Sequence, residues 1–233
     1  MFQDAVNYPR NSDSAITTVA IGGVLVLLSF LLVPTVFVLG YLVRTLRAVL
    51  DGAGEPPSFD DWRDLGTDGL QALAIALAYS LVPGGIALVA ILAGGVTLGL
   101  TGSGQGGNVV MALIAVGAAV LVTLVSLLGA YLLPAAIVAW VRTDRLGAAF
   151  SPAEVRVYAF SRTYATGWLV AVGISLLGGL VIGVLNAVVI GALVAPFLTF
   201  YANVAGVHAI GSAVRSMPPV DDGPGSTAGQ PVA

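Results

Sequence analysis

The chain has 233 residues, of which 58% are apolar and only 9% charged, and its formal net charge is −3. Soluble domains carry about a quarter charged residues, so this chain cannot cover a surface in water and belongs in lipid. It has no cysteine, which excludes disulfides, thiolate metal sites and a cysteine nucleophile.

The amino-terminal stretch, "MFQDAVNYPRNSD", has an acidic residue where a signal peptide would have basic ones. No small-residue cleavage pattern follows, so the first apolar segment is expected to stay in the mature chain. Uncharged apolar runs then cover 19–43, 69–100, 109–141 and 167–207. A spanning helix needs about 20 such residues for a core of about 30 Å. The last run is too long for one helix and is expected to break at Gly183–Asn186, "GVLN". Five spans are predicted, at about 16–46, 68–100, 108–142, 165–183 and 186–213. Proline removes one backbone bond and clashes with the preceding turn, so Pro34, Pro83, Pro134 and Pro196 are the expected kinks. The proline- and glycine-rich tail, 216–233, is expected to be disordered. Residues 1–215 then form a single transmembrane domain.

Arginine supplies every basic residue, nine in all, and eight of them fall in or beside loops 44–68 and 142–165 or at the start of the tail. The positive-inside rule places these loops and the carboxy terminus in the cytoplasm. Five spans then put the amino terminus, with Arg10, outside.

Three spans share one punctuation: Pro34, Tyr41 and Arg44; Pro134, Trp140 and Arg142; Pro196, Tyr201 and a late Arg215. The serines that follow the first two, Ser58 and Ser151, each have an acidic residue three positions on, Asp61 and Glu154. That is the pattern of a capping box. An internal repeat of 19–100 and 109–183 is therefore expected, each unit a kinked helix, an arginine, a capped surface helix and a returning helix.

The first loop holds the most unusual segment, "GEPPSFDDWRDLGTDGL" (54–70). Glu55, Pro56 and Pro57 end the preceding helix, and Ser58 caps a short one. Phe59, Trp62 and Leu65 then share a face, as an interfacial helix with tryptophan at headgroup level requires. Asp60 and Asp61 face elsewhere, and Asp68 begins a second capping box that starts the next span. Asp60, Asp61, Asp64 and Asp68 are also hard oxygen ligands, but their spacing fits no standard metal loop and arginines lie close by. The structural reading is preferred, and no metal or cofactor is expected.

These residues also carry a resemblance. "YPR", "GY.VR.LR", "G.GEPPSFDDW.DL..DGL" and "AY.LVP" resemble the archaeal, largely haloarchaeal, membrane proteins known as domain of unknown function 4013. The likeness is strongest over residues 5–85. It implies a multi-spanning archaeal membrane protein, in keeping with the lysine-free, acidic composition, and it implies no activity.

Ionisable residues inside spans are the usual pointer to transport or catalysis, and these runs hold none. The polar side chains singled out are Ser80, Tyr201, Asn203 and His208, with packing preferred over substrate contact for each. His208 can also pair with a loop aspartate. No G-x-S-x-G, HExxH or phosphate-loop pattern occurs, and nothing points to nucleic acid. The expected fold is an all-α polytopic bundle with short interfacial helices. The expected function is a non-catalytic membrane module that packs with itself or with a membrane-protein partner in the bilayer. The alternative is a channel or permease for a neutral or apolar solute, which requires Ser80, Tyr201 and Asn203 to converge. An intramembrane enzyme stands last.

Overall fold

The computed structural model describes residues 1–12, 14–101, 105–186 and 189–217. Among them the fold is all-α. Helix α1 (Phe2–Asn7) leads through a 3-10 turn (Tyr8–Arg10) to α2 (Ala15–Leu27) and α3 (Leu32–Asp51). Then come α4 (Trp62–Thr101), α5 (Gln105–Thr143), a second 3-10 turn (Leu146–Phe150), α6 (Pro152–Ala159), α7 (Arg162–Leu185) and α8 (Val189–Val214).

Among the described residues five helices are long and apolar enough to cross a membrane: Leu32–Asp51, Trp62–Val96, Val109–Thr143, Arg162–Leu185 and Leu193–Val214. The fourth apolar run breaks where the sequence predicts, with α7 capped by Asn186. Pro83, Pro134 and Pro196 lie inside α4, α5 and α8. The tail from 218 onward lies outside the described residues.

The first predicted span is corrected. Residues 16–46 are not one kinked helix but parts of two, separated at Leu28–Leu31. Pro34 stands in the first turn of α3, where its missing N–H costs no intrahelical bond, so it starts a helix rather than bending one. Ser29 fixes the break: its hydroxyl donates to the Leu25 carbonyl at 3.0 Å, and its own carbonyl accepts from Thr35 Oγ1 at 3.1 Å. At 13 residues, α2 reaches only about 20 Å, too short to cross.

Burial is segregated along the bundle. At one end Tyr41, Leu46, Leu65, Ile75, Val138, Trp140, Tyr164, Val204 and Ile210 form a closed core. Towards the other end Leu81, Leu92, Leu113, Leu124, Leu176 and Leu193 are exposed, the surface expected of helices bathed in hydrocarbon. Helix α4 packs chiefly on α5, while α7 and α2 pack on α8; α5 and α7 meet where Tyr131 touches Tyr164 and Trp168. The bundle is thus two apolar groups of helices hung from one polar end.

Candidate functional site

The polar end is built around the segment between α3 and α4. Gly52 closes α3 in the left-handed region, at φ 91°, and the Ala53 amide donates back to the Ala48 carbonyl at 2.8 Å. The prolines that follow prevent a helix, so the chain's carbonyls need other donors. Side chains supply them. Asn11 donates to Gly54 at 3.2 Å, Tyr8 to Glu55 at 2.9 Å, Tyr41 to Pro57 at 2.9 Å and Arg44 to Asp60 at 2.8 Å. No separate interfacial helix forms here, which corrects the sequence expectation. Ser58 donates to Asp60 Oδ2 at 2.6 Å instead of capping a helix. Gly66 and Asp68 lie within α4, which starts at Trp62 from the Asp61 carbonyl.

The aromatic face is real but differently placed. Phe59 stacks on Tyr41 with centroids 4.2 Å apart, Trp62 meets Phe37 edge-on, and Phe200 of α8 lies 5.3 Å from Tyr41. Leu65 is fully buried, whereas Trp62 is 45% exposed at the rim.

The acidic residues do not converge on a point. Asp60 receives Arg44 at 2.5 Å. The Ser58 hydroxyl first, and then Arg44, hold its carboxyl below the usual carboxylate range. Asp68 instead receives Arg47 at 2.6 Å, and Arg47 also reaches Asp144 at 3.7 Å and lies over the Trp140 ring. One arginine of α3 thereby ties α4 to the end of α5. From α5, Arg142 donates to the carbonyls of Val214, the last residue of α8, and of Met217 beyond it.

The second loop uses the same device. Tyr79 donates to the Ala149 carbonyl at 2.8 Å, Tyr131 to Ala159 at 2.6 Å and Tyr164 to Tyr131 at 2.5 Å. Trp168 Nε1 donates to Ala130 at 3.1 Å. Unlike the first loop it contains α6. Ser151 precedes α6 without a side-chain cap bond, and Glu154 pairs with Arg145 at 3.3 Å, so the expected capping box is absent. The serine that does cap is Ser161, which accepts from the amides of Thr163 and Tyr164 at the start of α7. Sequence reading passed over it, although it stands immediately before an apolar periodic run.

The amino terminus docks on this end. Besides the Tyr8 and Asn11 bonds, Tyr201 donates to the Val6 carbonyl, Arg10 lies over the Tyr201 ring, and His208 stacks on Tyr8 at 4.3 Å. Among the described residues no aspartate hydrogen bond reaches His208, and its Nδ1 is buried without a partner. Burial pushes the Tyr8 phenol up to about 12. The expectation that the amino terminus and loop 44–68 occupy opposite faces therefore fails. The segment α2–α3 enters and returns to the same end, and all nine arginines stand at that end.

A family model described as "Protein of unknown function (DUF4013)" matches residues 26–187, from the end of α2 through α7. The chain belongs to that family. No curated protein and no solved structure matches it. The DUF4013 match spans Tyr41, the 52–61 segment and the second loop, and leaves the docked α1, nearly all of α2 and the whole of α8 outside it.

The residues singled out for a solute path are separated in this DUF4013 protein. Ser80 donates to its own helix at Leu77, Tyr201 is engaged with the amino terminus, and Asn203 faces another way, into a central cleft. That cleft, of about 280 Å³, lies where α3, α5, α7 and α8 meet below the polar end.

Proposed function

We propose that this protein is a non-catalytic membrane module that acts by packing its helices against a second copy or a membrane-protein partner. The observation behind this reading is the reach of α4 and α5. They contain 40 and 39 residues, about 60 Å each, or twice a bilayer core. They pack on one another, and Leu88, Ile91, Leu92, Leu113, Val116 and Val120 along them are exposed. The seam between them mixes small residues, Ala87, Ala90, Gly94, Ala115, Ala118 and Ala119, with Ile91, Met111, Ile114 and Val122. Such surfaces allow close helix approach in lipid.

The arginine-rich end is the cytoplasmic one in this reading, because the positive-inside rule now applies to all nine arginines. The acidic, lysine-free composition supports a high-salt archaeal source. The two loops, locked by tyrosine hydroxyls, serve as a rigid platform rather than as a reaction centre.

Photocrosslinking in the native membrane tests the reading. A photoreactive residue is placed at Leu88, Ile91, Val116 or Val120, all exposed on the hairpin, with Leu176 and Leu180 of α7 as comparison. A discrete protein adduct confined to the hairpin positions is expected. Adducts with lipid alone at every position would overturn it.

A further inference from the structure

The central cleft has a composition that the packing reading does not use. Fourteen of its sixteen lining residues are apolar or glycine; the exceptions are Ser175 and Asn203. It tapers from these two, both exposed, toward Val43, Leu46, Val138 and Ile210, which are buried. Its mouth therefore opens into the space between the two helix groups, where the surrounding surface is hydrocarbon-facing. Ser175 is already satisfied, donating to the Ala171 carbonyl at 2.9 Å. The Asn203 amide has no hydrogen bond among the described residues. It stands 11 positions from the end of α8 at Val214, about 16 Å along the helix. An amide at such depth in an apolar setting is costly unless something bonds it.

We propose that the cleft binds one hydrocarbon chain carrying a neutral hydrogen-bonding group, a hydroxyl or a carbonyl, that meets the Asn203 amide. The volume fits. An apolar cavity of about 150 Å³ holds one benzene, so 280 Å³ accepts roughly eleven carbons on the same scale. The occupant enters sideways from the bilayer between the two helix groups. The proposal rests on the chain being embedded in lipid, not on its having a protein partner, so the crosslinking result above can fail without affecting it.

The test uses the full chain in nanodiscs and measures saturable binding of radiolabelled dodecanol and of dodecane. Dodecanol is expected to bind about tenfold more tightly than the alkane, the worth of one hydrogen bond. Asn203→Leu is expected to erase that preference while still binding the alkane. Ser175→Phe, which fills the mouth from an exposed position, is expected to abolish binding of both. Circular dichroism and thermal unfolding confirm that each variant folds. Should Ser175→Phe not fold, the Asn203→Leu comparison decides alone. Equal preference in wild type and Asn203→Leu, or no saturable binding, overturns the proposal. Native mass spectrometry of protein from its own membrane separates the two sources. An adduct with the mass of an intact lipid identifies a membrane lipid chain, and a lighter one a free single-chain compound; either agrees with the site.

Discussion

A Cβ placed on Gly40 of α3 would stand 1.9 Å from the carbonyl oxygen of Leu65 in α4. Gly69 meets the Val36 carbonyl at the same distance, so two glycines set how closely these helices approach. The atoms in the way are backbone and cannot swing aside. Gly40→Ala is therefore expected to destabilise by about 2 kcal/mol through overpacking. Gly84→Ala, in the same helix as Gly69 but with open space around it, is expected to be neutral or to stabilise by up to about 1 kcal/mol. Thermal unfolding in a fixed detergent compares them. Equal shifts would show that α3 and α4 do not touch as described.

The docked amino terminus has an alkaline signature. The folded value of the Tyr8 phenol, about 12, lies above its ordinary value of 10.0 because burial disfavours the anion. A group raised on folding contributes its stability in full below the unfolded value and loses it as pH rises through the folded one. Docking should therefore hold to about pH 10 and release as the pH climbs towards 12. Tyrosinate absorbance of wild type minus that of Tyr8→Phe isolates this residue. A difference spectrum that titrates near 10 would mean that Tyr8 is not buried against the 52–61 segment.

The two arginine–aspartate pairs of α3 should differ in weight. The Asp68 side chain is 15% exposed and that of Asp60 63%, so solvent screens the second pair. Asp68→Asn is expected to cost about 2 kcal/mol, as for a hydrogen bond to a charged group, and Asp60→Asn much less. Asp60 is held below the usual carboxylate range, so its contribution is present above the ordinary value near 4 and is lost as pH falls through the folded value. Acid titration of stability should show wild type and Asp60→Asn converging at low pH. A gap that widens on acidification would mean that Arg44 does not stabilise the carboxylate.

Single-cysteine labelling settles the sidedness, since the native chain has no cysteine. Asn11→Cys, Ser58→Cys and Gly147→Cys are expected to react from one face, and Asn186→Cys from the opposite one. Labelling of Asn11→Cys from the face of Asn186→Cys would restore a crossing first helix.

How far the sequence could be read follows from the range of the interactions involved. The apolar runs, the turn at Asn186 and the arginine-rich loops depend on composition over a few residues, and each has a counterpart in the fold. The break between α2 and α3 does not, because "SFLLVP" is as apolar as the helices it separates. Its marks were Ser29 and Pro34, a pair equally at home in a continuous spanning helix. The segment 58–65 reads locally as a capped helix. Only 62–65 are helical; up to Asp61 the chain is irregular, with donors distant in sequence, Tyr8 and Tyr41, claiming the carbonyls of Glu55 and Pro57 just before it. The central cleft is tertiary throughout: Asn203 and Ser175 are far apart in the chain, and no periodicity links them.

The gathering of every arginine at one end also bears on how the chain enters a bilayer. Each arginine carried through the hydrocarbon centre costs about 2.5–3.5 kcal/mol on insertion scales. The sequence between α4 and α5 and between α7 and α8 contains no ionisable residue at all. On the cytoplasmic placement proposed above, the two helix pairs can be threaded in with no arginine translocated, and the polar end need never leave the side on which it was synthesised.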